Sequence, residues 1–243
     1  MKNIKEARSG YKGKPIVYIH GYCDTKDSFT LLRQYFPDGI AYDLPGFGAE
    51  EKLETIYDKN LFVSFLRKKV TKKSVLIGFS MGALVVKDFA ILYPDLVEKA
   101  FLISYPLQKS EQALKKAMQS RRLGRHYVDK TIWGKLLCSC HWLYRWLVIL
   151  YVNLFRRRYR YAIRGWFEHT YQSALSTMQD YIIKNNPMEL KKLKDKAVII
   201  VGEHEDLVDK SLLAGFKSYL IPQMDHSMFG YEKEIANIIK ENV

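Results

Sequence analysis

The stretch SVLIGFSMGALVVKDFAILY, residues 74–93, constrains the fold more tightly than any other part of the chain. It begins with an apolar, β-branched run without polar alternation, which marks a strand covered on both faces. It ends with apolar residues at three- and four-residue spacing, which marks a helix. Only Gly-Phe-Ser-Met-Gly separates the two. A strand that becomes a helix within so few residues needs a sharp turn. Glycines at both ends of that turn remove side chains that would strike the adjoining elements. The first amides of the helix then face the space beside Ser80, where they favour developing negative charge.

Similar runs recur along the chain. IVYIH (16–20), IAYDLP (40–45), KAFLIS (99–104), AVIIVG (197–202) and KSYLIP (217–222) are short, apolar and bounded by Gly or Pro. Each reads as a strand buried on both faces. Helical spacing at Phe62–Val70, Met81–Leu92 and Tyr231–Glu241 falls between or after them. Strand–helix alternation predicts an α/β fold, with a mostly parallel sheet, helices on both faces and right-handed crossovers.

The alternation stops between about Tyr105 and Pro187. That segment carries no strand signal and is helical and basic. The expected organisation is therefore a core of residues 1–104 and 188–243 with a helical insertion, 105–187, between the fourth and fifth strands. Tyr105–Gly165 holds fourteen Lys and Arg against Glu111 and Asp129, so it accounts for +12 of the chain's net +13. The positive field belongs to the insertion and favours anionic partners.

The amino terminus, MKNIKEARSGYKGKPIVYIHG, lacks the apolar core of a signal peptide. Cys23, Cys138 and Cys140 are odd in number. The two observations together predict free thiols in a reducing, cytoplasmic setting. Cys138, Cys140 and His141 have no second ligand pair at suitable spacing, so no metal site is expected. Nothing in the sequence calls for a cofactor.

A serine needs a base to attack a carbonyl, and the base needs an orienting acid. His226, in PQMDHSMF after the last strand, stands where a loop can bring an imidazole to the Ser80 turn. His204 would occupy the acid's own loop. His126, His141 and His169 lie in the insertion and read as surface or packing residues. The loop after AVIIVG, GEHEDLVD, offers both Glu205 and Asp206 as the acid.

Across nearly its full length the chain resembles the α/β-hydrolase superfamily, in its esterase and lipase-like branch with a helical lid. The matching segments are HGY (20–22), DLPGFG (43–48), GFSMG (78–82), the acid loop and DHSMF (225–229). The resemblance implies a Ser80–His226–acid triad. It places Glu205 at the acid's position when Gly202, Glu205 and Val208 are aligned to the family's G-x-x-D-x-x-V. Asp206 has the commoner residue type but needs a one-residue shift. The same resemblance gives the oxyanion hole to the backbone N–H groups of Tyr22 and Met81, and makes 105–187 a lid over the site. Serine at the elbow sets the chain apart from relatives that use aspartate there, such as haloalkane dehalogenases and epoxide hydrolases. It leaves hydrolysis of esters, thioesters, amides or carbon–carbon bonds, and acyl transfer. The expected function is cleavage of an ester or thioester of a hydrophobic acyl group through an acyl-enzyme.

The partner is read from the insertion. Trp142–Phe155 gives fourteen positions, interrupted by Arg145 and Asn153. That is short of the ~20 apolar residues of a span. The expectation is a lid helix packed on the core or lining the substrate channel, with an interfacial helix as the alternative. Arg156, Arg157, Arg158 and Arg160, with Arg164 beyond, suit either an anionic membrane surface or an acidic carrier protein. The carrier reading also follows from similarity in size and lid arrangement to esterases that release pimeloyl from its carrier. Nucleic acid is disfavoured for a patch on an enzyme's lid. A non-catalytic member that binds lipid or a protein remains the alternative from another class.

Overall fold

The computed structural model describes residues 13–122 and 124–243. The first twelve residues, on which the signal-peptide expectation rests, lie outside them. Six strands form one parallel sheet: β1 (Ile16–Ile19), β2 (Ile40–Tyr42), β3 (Ser74–Phe79), β4 (Val97–Ile103), β5 (Ala197–Gly202) and β6 (Lys217–Ile221). Their order across the sheet is β2-β1-β3-β4-β5-β6. All six fall where the sequence places them. The expectation of burial on both faces holds for β1, β3, β5 and most of β4, but not for the edges. Ile40 on β2 and Lys217, Ser218 and Leu220 on β6 are exposed. An edge strand has one neighbour, and a polar or interrupted pattern there discourages pairing with other chains.

The helices on the two faces follow from amphipathicity. α1 (Lys59–Lys69) starts at Asp58, whose side chain accepts the Leu61 N–H at 3.0 Å. It buries Phe62, Val63 and Leu66. α2 (Met81–Leu92) has ten consecutive buried residues, because it lies between the sheet and the helical insertion. The opposite face is closed by α9 (Glu232–Glu241) through Ile235 and Ile239, with Phe29, Leu32 and Phe36 beside it.

No strand occurs between β4 and β5 among the described residues. The chain there forms α3 (Glu111–Ser120), α4 (Gly124–Val128), α5 (Ile132–Ser139), α6 (His141–Phe155), α7 (Ala162–Gly165) and α8 (Tyr171–Ser176), then a π-helical turn at Thr177–Ile182. Leu114, Met118, Tyr127, Ala174 and Met178 join the same apolar core as Leu84 and Phe89 of α2. The insertion is thus anchored on the core through α3, α4 and α8. α6 differs. Of the expectation that it packs on the core or lines the channel, packing on the core is limited, since only Val152 is buried. Trp142, Trp146, Leu150 and Leu154, four residues apart, are exposed in one row, and Leu147 and Phe155 beside them are 70% exposed. None of the described helices is long and apolar enough to cross a membrane.

Candidate active site

The strand order places the site. From β1 the chain moves outward to β2, then returns past β1 to β3. At such a reversal the loops leaving the two central strands diverge and open a crevice at their carboxyl ends. Those loops carry Tyr22, after β1, and Ser80, after β3.

Ser80 has φ 52° and ψ −115°, a left-handed conformation that is strained for a residue with a side chain. The flanking glycines explain how the turn is held. A Cβ on Gly78 would stand 2.4 Å from the Gly82 carbonyl oxygen, and one on Gly82 would stand 2.1 Å from that of Ile19. The Ser80 N–H donates to the Ile103 carbonyl at 2.8 Å, which ties the turn to β4. The Ser80 side chain is left at the amino end of α2, in a cavity of about 980 Å³.

His226 reaches Ser80 from the loop after β6. Its Nε2 lies 2.8 Å from Ser80 Oγ, and its Nδ1 lies 2.9 Å from each oxygen of Glu205. The Glu205 side chain is fully buried. Burial alone would raise its pKa. The hydrogen bond and charge of His226 and the Leu207 N–H, 3.0 Å away, outweigh burial and hold the carboxyl below its ordinary range. An ionised Glu205 favours the tautomer with the proton on Nδ1, which leaves Nε2 as an acceptor for the serine proton.

The two acid candidates separate clearly. Glu205 points inward to His226. Asp206 points outward, half exposed, and pairs with Arg121 of the insertion. Tyr22 and Met81 both border the same cavity. Among the described residues neither backbone N–H has a protein acceptor. The Tyr22 ring is fixed against Phe47 and Tyr127, and its hydroxyl donates to the Ala174 carbonyl at 2.9 Å.

The remaining histidines lie elsewhere. His204 is exposed at the cavity rim. His126 bonds Thr131, and His141 bonds the Cys138 carbonyl. His169 Nε2 lies 3.6 Å from Cys23 Sγ and 3.5 Å from Cys138 Sγ, and burial lowers its pKa to about 4. It packs inside the protein and does not approach Ser80.

Sequence reading passed over His20. Its Nε2 accepts the Leu44 N–H at 2.9 Å and its Nδ1 meets the Gly21 carbonyl at 2.8 Å, so one neutral imidazole joins the β1 loop to the DLPGFG loop. The HG pair before Tyr22 was the available signal. Burial lowers the His20 pKa from 6.5 to about 4, against smaller opposing effects of Gly21 and Asp43. The unfolded chain takes up this proton near 6.5, whereas the fold resists it down to about 4. Acidification through that window therefore favours unfolding, by ~3 kcal/mol when complete. His20→Asn is expected to flatten the fall in thermal midpoint between pH 6.5 and 4. Equal slopes in both proteins would remove His20 from this account.

The doubly wound parallel sheet, with its serine on the turn after the third strand, is the α/β-hydrolase fold. A sequence model of the alpha/beta hydrolase family matches residues 16–238. The chain belongs to that family. It is 31% identical over 93 residues to a pimeloyl-[acyl-carrier protein] methyl ester esterase of Wigglesworthia glossinidia brevipalpis, covering 37% of this chain and 35% of the relative. It is also 31% identical over 100 residues to a serine hydrolase-like protein of Danio rerio, covering 37% and 31%. The aligned part thus spans about a third of each curated relative. A carboxylesterase structure from Nitrososphaera gargenis superposes with a TM-score of 0.70 over 97% of this chain and 90% of that one, at 20% identity. That likeness concerns the fold.

Proposed function

We propose that the protein is a serine hydrolase that cleaves an ester or thioester of a hydrophobic acyl group. One observation carries the reading: an unbroken hydrogen-bonded chain, Ser80–His226–Glu205, ends on a hydroxyl that faces a large cavity. In this mechanism Ser80 Oγ attacks the acyl carbonyl while its proton passes to His226 Nε2. The carbonyl oxygen becomes an oxyanion held by the Tyr22 and Met81 N–H groups at the positive end of α2. Collapse of this intermediate expels the alcohol or thiol, which takes the proton from His226. Water, activated by the same imidazole, then attacks the acyl-enzyme and releases the acid and free Ser80. Glu205 stays ionised throughout and balances the imidazolium.

The acyl group is read from the cavity wall. Met118, Val152, Ile163, Trp166, Met178 and Ile182 border it, all from the insertion. We therefore assign 105–187 the role of a cap that supplies the acyl pocket. A second cavity of about 350 Å³ shares Tyr127, Ile163 and Trp166 with the first. The combined space suits a drug-sized or longer apolar chain.

Two measurements test the reading. A fluorophosphonate probe is expected to label Ser80 in the folded protein, with none in Ser80→Ala. With p-nitrophenyl esters, kcat/KM is expected to rise about fourfold per added methylene until the pocket is full, since each buried methylene contributes ~0.8 kcal/mol. A folded protein that takes no label is a binding member of the fold instead. A flat chain-length series would overturn the acyl-pocket assignment alone.

A further inference from the structure

We propose that α6 docks the protein on an anionic bilayer. Its outer face lies in the headgroup–acyl boundary, and the arginines after it hold lipid phosphates. The further step, that acyl esters reach Ser80 from that surface, rests on the proposed hydrolase activity. The docking does not.

The outer face of α6 has no protein cover. Trp146 is 69% exposed and Trp142 65%, in the same row as Leu150 and Leu154. α5 adjoins α6 and adds exposed Ile132 and Trp133. Folded soluble chains seldom leave this much apolar surface gathered on one element unless something binds there. Tryptophan, with an apolar body and one N–H donor, is suited to the headgroup boundary.

Length and polarity fix the orientation. Fifteen residues of helix extend about 22 Å, short of the ~30 Å hydrocarbon core. Arg145 and Asn153 also lie within it. The helix can lie along the membrane plane and cannot cross it.

Charge identifies the surface. Arg156, Arg157, Arg158, Arg160 and Arg164 follow directly and are exposed. Among the described residues only Arg158 of these has a carboxylate partner, Asp225 at 3.6 Å. The Arg158 and Arg160 guanidinium groups lie over the Tyr159 and Tyr161 rings at 4.7 and 4.6 Å and remain exposed. Apolar rows beside arginines that, Arg158 apart, have no carboxylate partner among the described residues match the two parts of an anionic lipid surface. An acidic carrier protein would satisfy the arginines and leave the tryptophan row uncovered. A second copy packed antiparallel on this face would cover the tryptophan row but leave each arginine cluster at an outer end with no anionic partner.

The docking face also adjoins the cavities. Val152 and Arg156, at the carboxyl end of α6, border the Ser80 cavity. Tyr144 and Val148, on its inner side, border the second cavity. An acyl chain leaving the bilayer would pass one helix to reach Ser80.

The test uses the full chain with vesicles of phosphatidylcholine alone or mixed equally with phosphatidylglycerol. Co-sedimentation is expected with the mixed vesicles, at least tenfold weaker with phosphatidylcholine alone, and with a blue shift of tryptophan emission. Trp146→Glu/Leu147→Glu is expected to weaken binding at least tenfold and leave fluorophosphonate labelling and thermal midpoint unchanged. Arg157→Gln/Arg160→Gln/Arg164→Gln is expected to lower affinity for mixed vesicles by roughly fivefold per arginine and flatten its salt dependence. Vesicle binding that ignores both sets of changes would overturn the proposal. So would a dimer dissolved by the apolar changes, or binding of an acidic carrier protein without vesicle binding. Lost labelling with intact vesicle binding would end the hydrolase reading and leave docking standing.

Discussion

Ser80→Ala is expected to lower kcat on a soluble p-nitrophenyl ester by about a millionfold, and Glu205→Gln by about ten-thousandfold. The order follows from what each residue does in the proposed mechanism. Without Ser80 no acyl-enzyme forms, and only bound water and the oxyanion donors remain. Without the Glu205 charge, His226 remains 2.8 Å from the hydroxyl but loses the partner that keeps a proton on Nδ1. The amide can instead donate to Nδ1, which places the proton on Nε2, where it blocks uptake from serine. Asp206→Asn separates the two acid candidates. Asp206 meets Arg121 at the surface, and an exposed ion pair contributes ~1 kcal/mol or less. Its loss should therefore change kcat by at most about fivefold. Steady-state kinetics on the three purified variants decide the matter. A larger loss from Asp206→Asn than from Glu205→Gln would reverse the assignment of the acid.

The same pair shows where sequence reading reaches its limit. Ser80 is legible because its turn obeys strict local rules: a buried strand, two glycines where no Cβ fits, and a helix that starts at the next residue. The six strands are legible for a similar reason, since unbroken β-branched runs have few other uses in a chain with strand–helix alternation. Glu205 and Asp206 are adjacent in a loop, and neighbouring loop residues commonly face opposite ways. The ungapped alignment favours Glu205 over Asp206, but only the positions of the Leu207 N–H and His226 show which of the two faces inward. α6 is only partly legible, for another reason. Apolar composition states that a face avoids water, and does not state whether protein or lipid covers it. His20 was passed over because its role consists of two hydrogen bonds to backbone groups, one of them 24 positions away.

Lys87→Met is expected to destabilise the fold by ~3–5 kcal/mol, the usual cost of breaking a buried ion pair by removing one member. In ALVVKDFAILY the residues Lys87 and Asp88 look like the solvent side of an amphipathic helix. They are instead 1% and 2% exposed. Lys87 Nζ lies 2.8 Å from Asp88, 3.1 Å from Glu189 and 3.0 Å from the Asn185 side-chain oxygen. Asp88 also accepts the Tyr181 hydroxyl at 2.9 Å. The cluster ties α2, which follows directly on Ser80, to the chain returning from the insertion. Methionine fills most of the lysine volume, so loss of charge outweighs any cavity. It leaves Asp88 buried with Tyr181 and the half-exposed Lys59, 3.6 Å away, as its remaining partners. The double variant Lys87→Met/Asp88→Leu should recover part of the loss, because no uncompensated charge then stays buried. Urea unfolding reads this as a lower midpoint at constant slope for Lys87→Met and a partial return for the double variant. Labelling of Ser80 should persist in both at low temperature, since the cluster holds α2 from its far side and touches neither His226 nor Glu205. A Lys87→Met cost under ~1 kcal/mol would mean that water already solvates this lysine, and that the core beneath the elbow is held by apolar packing alone.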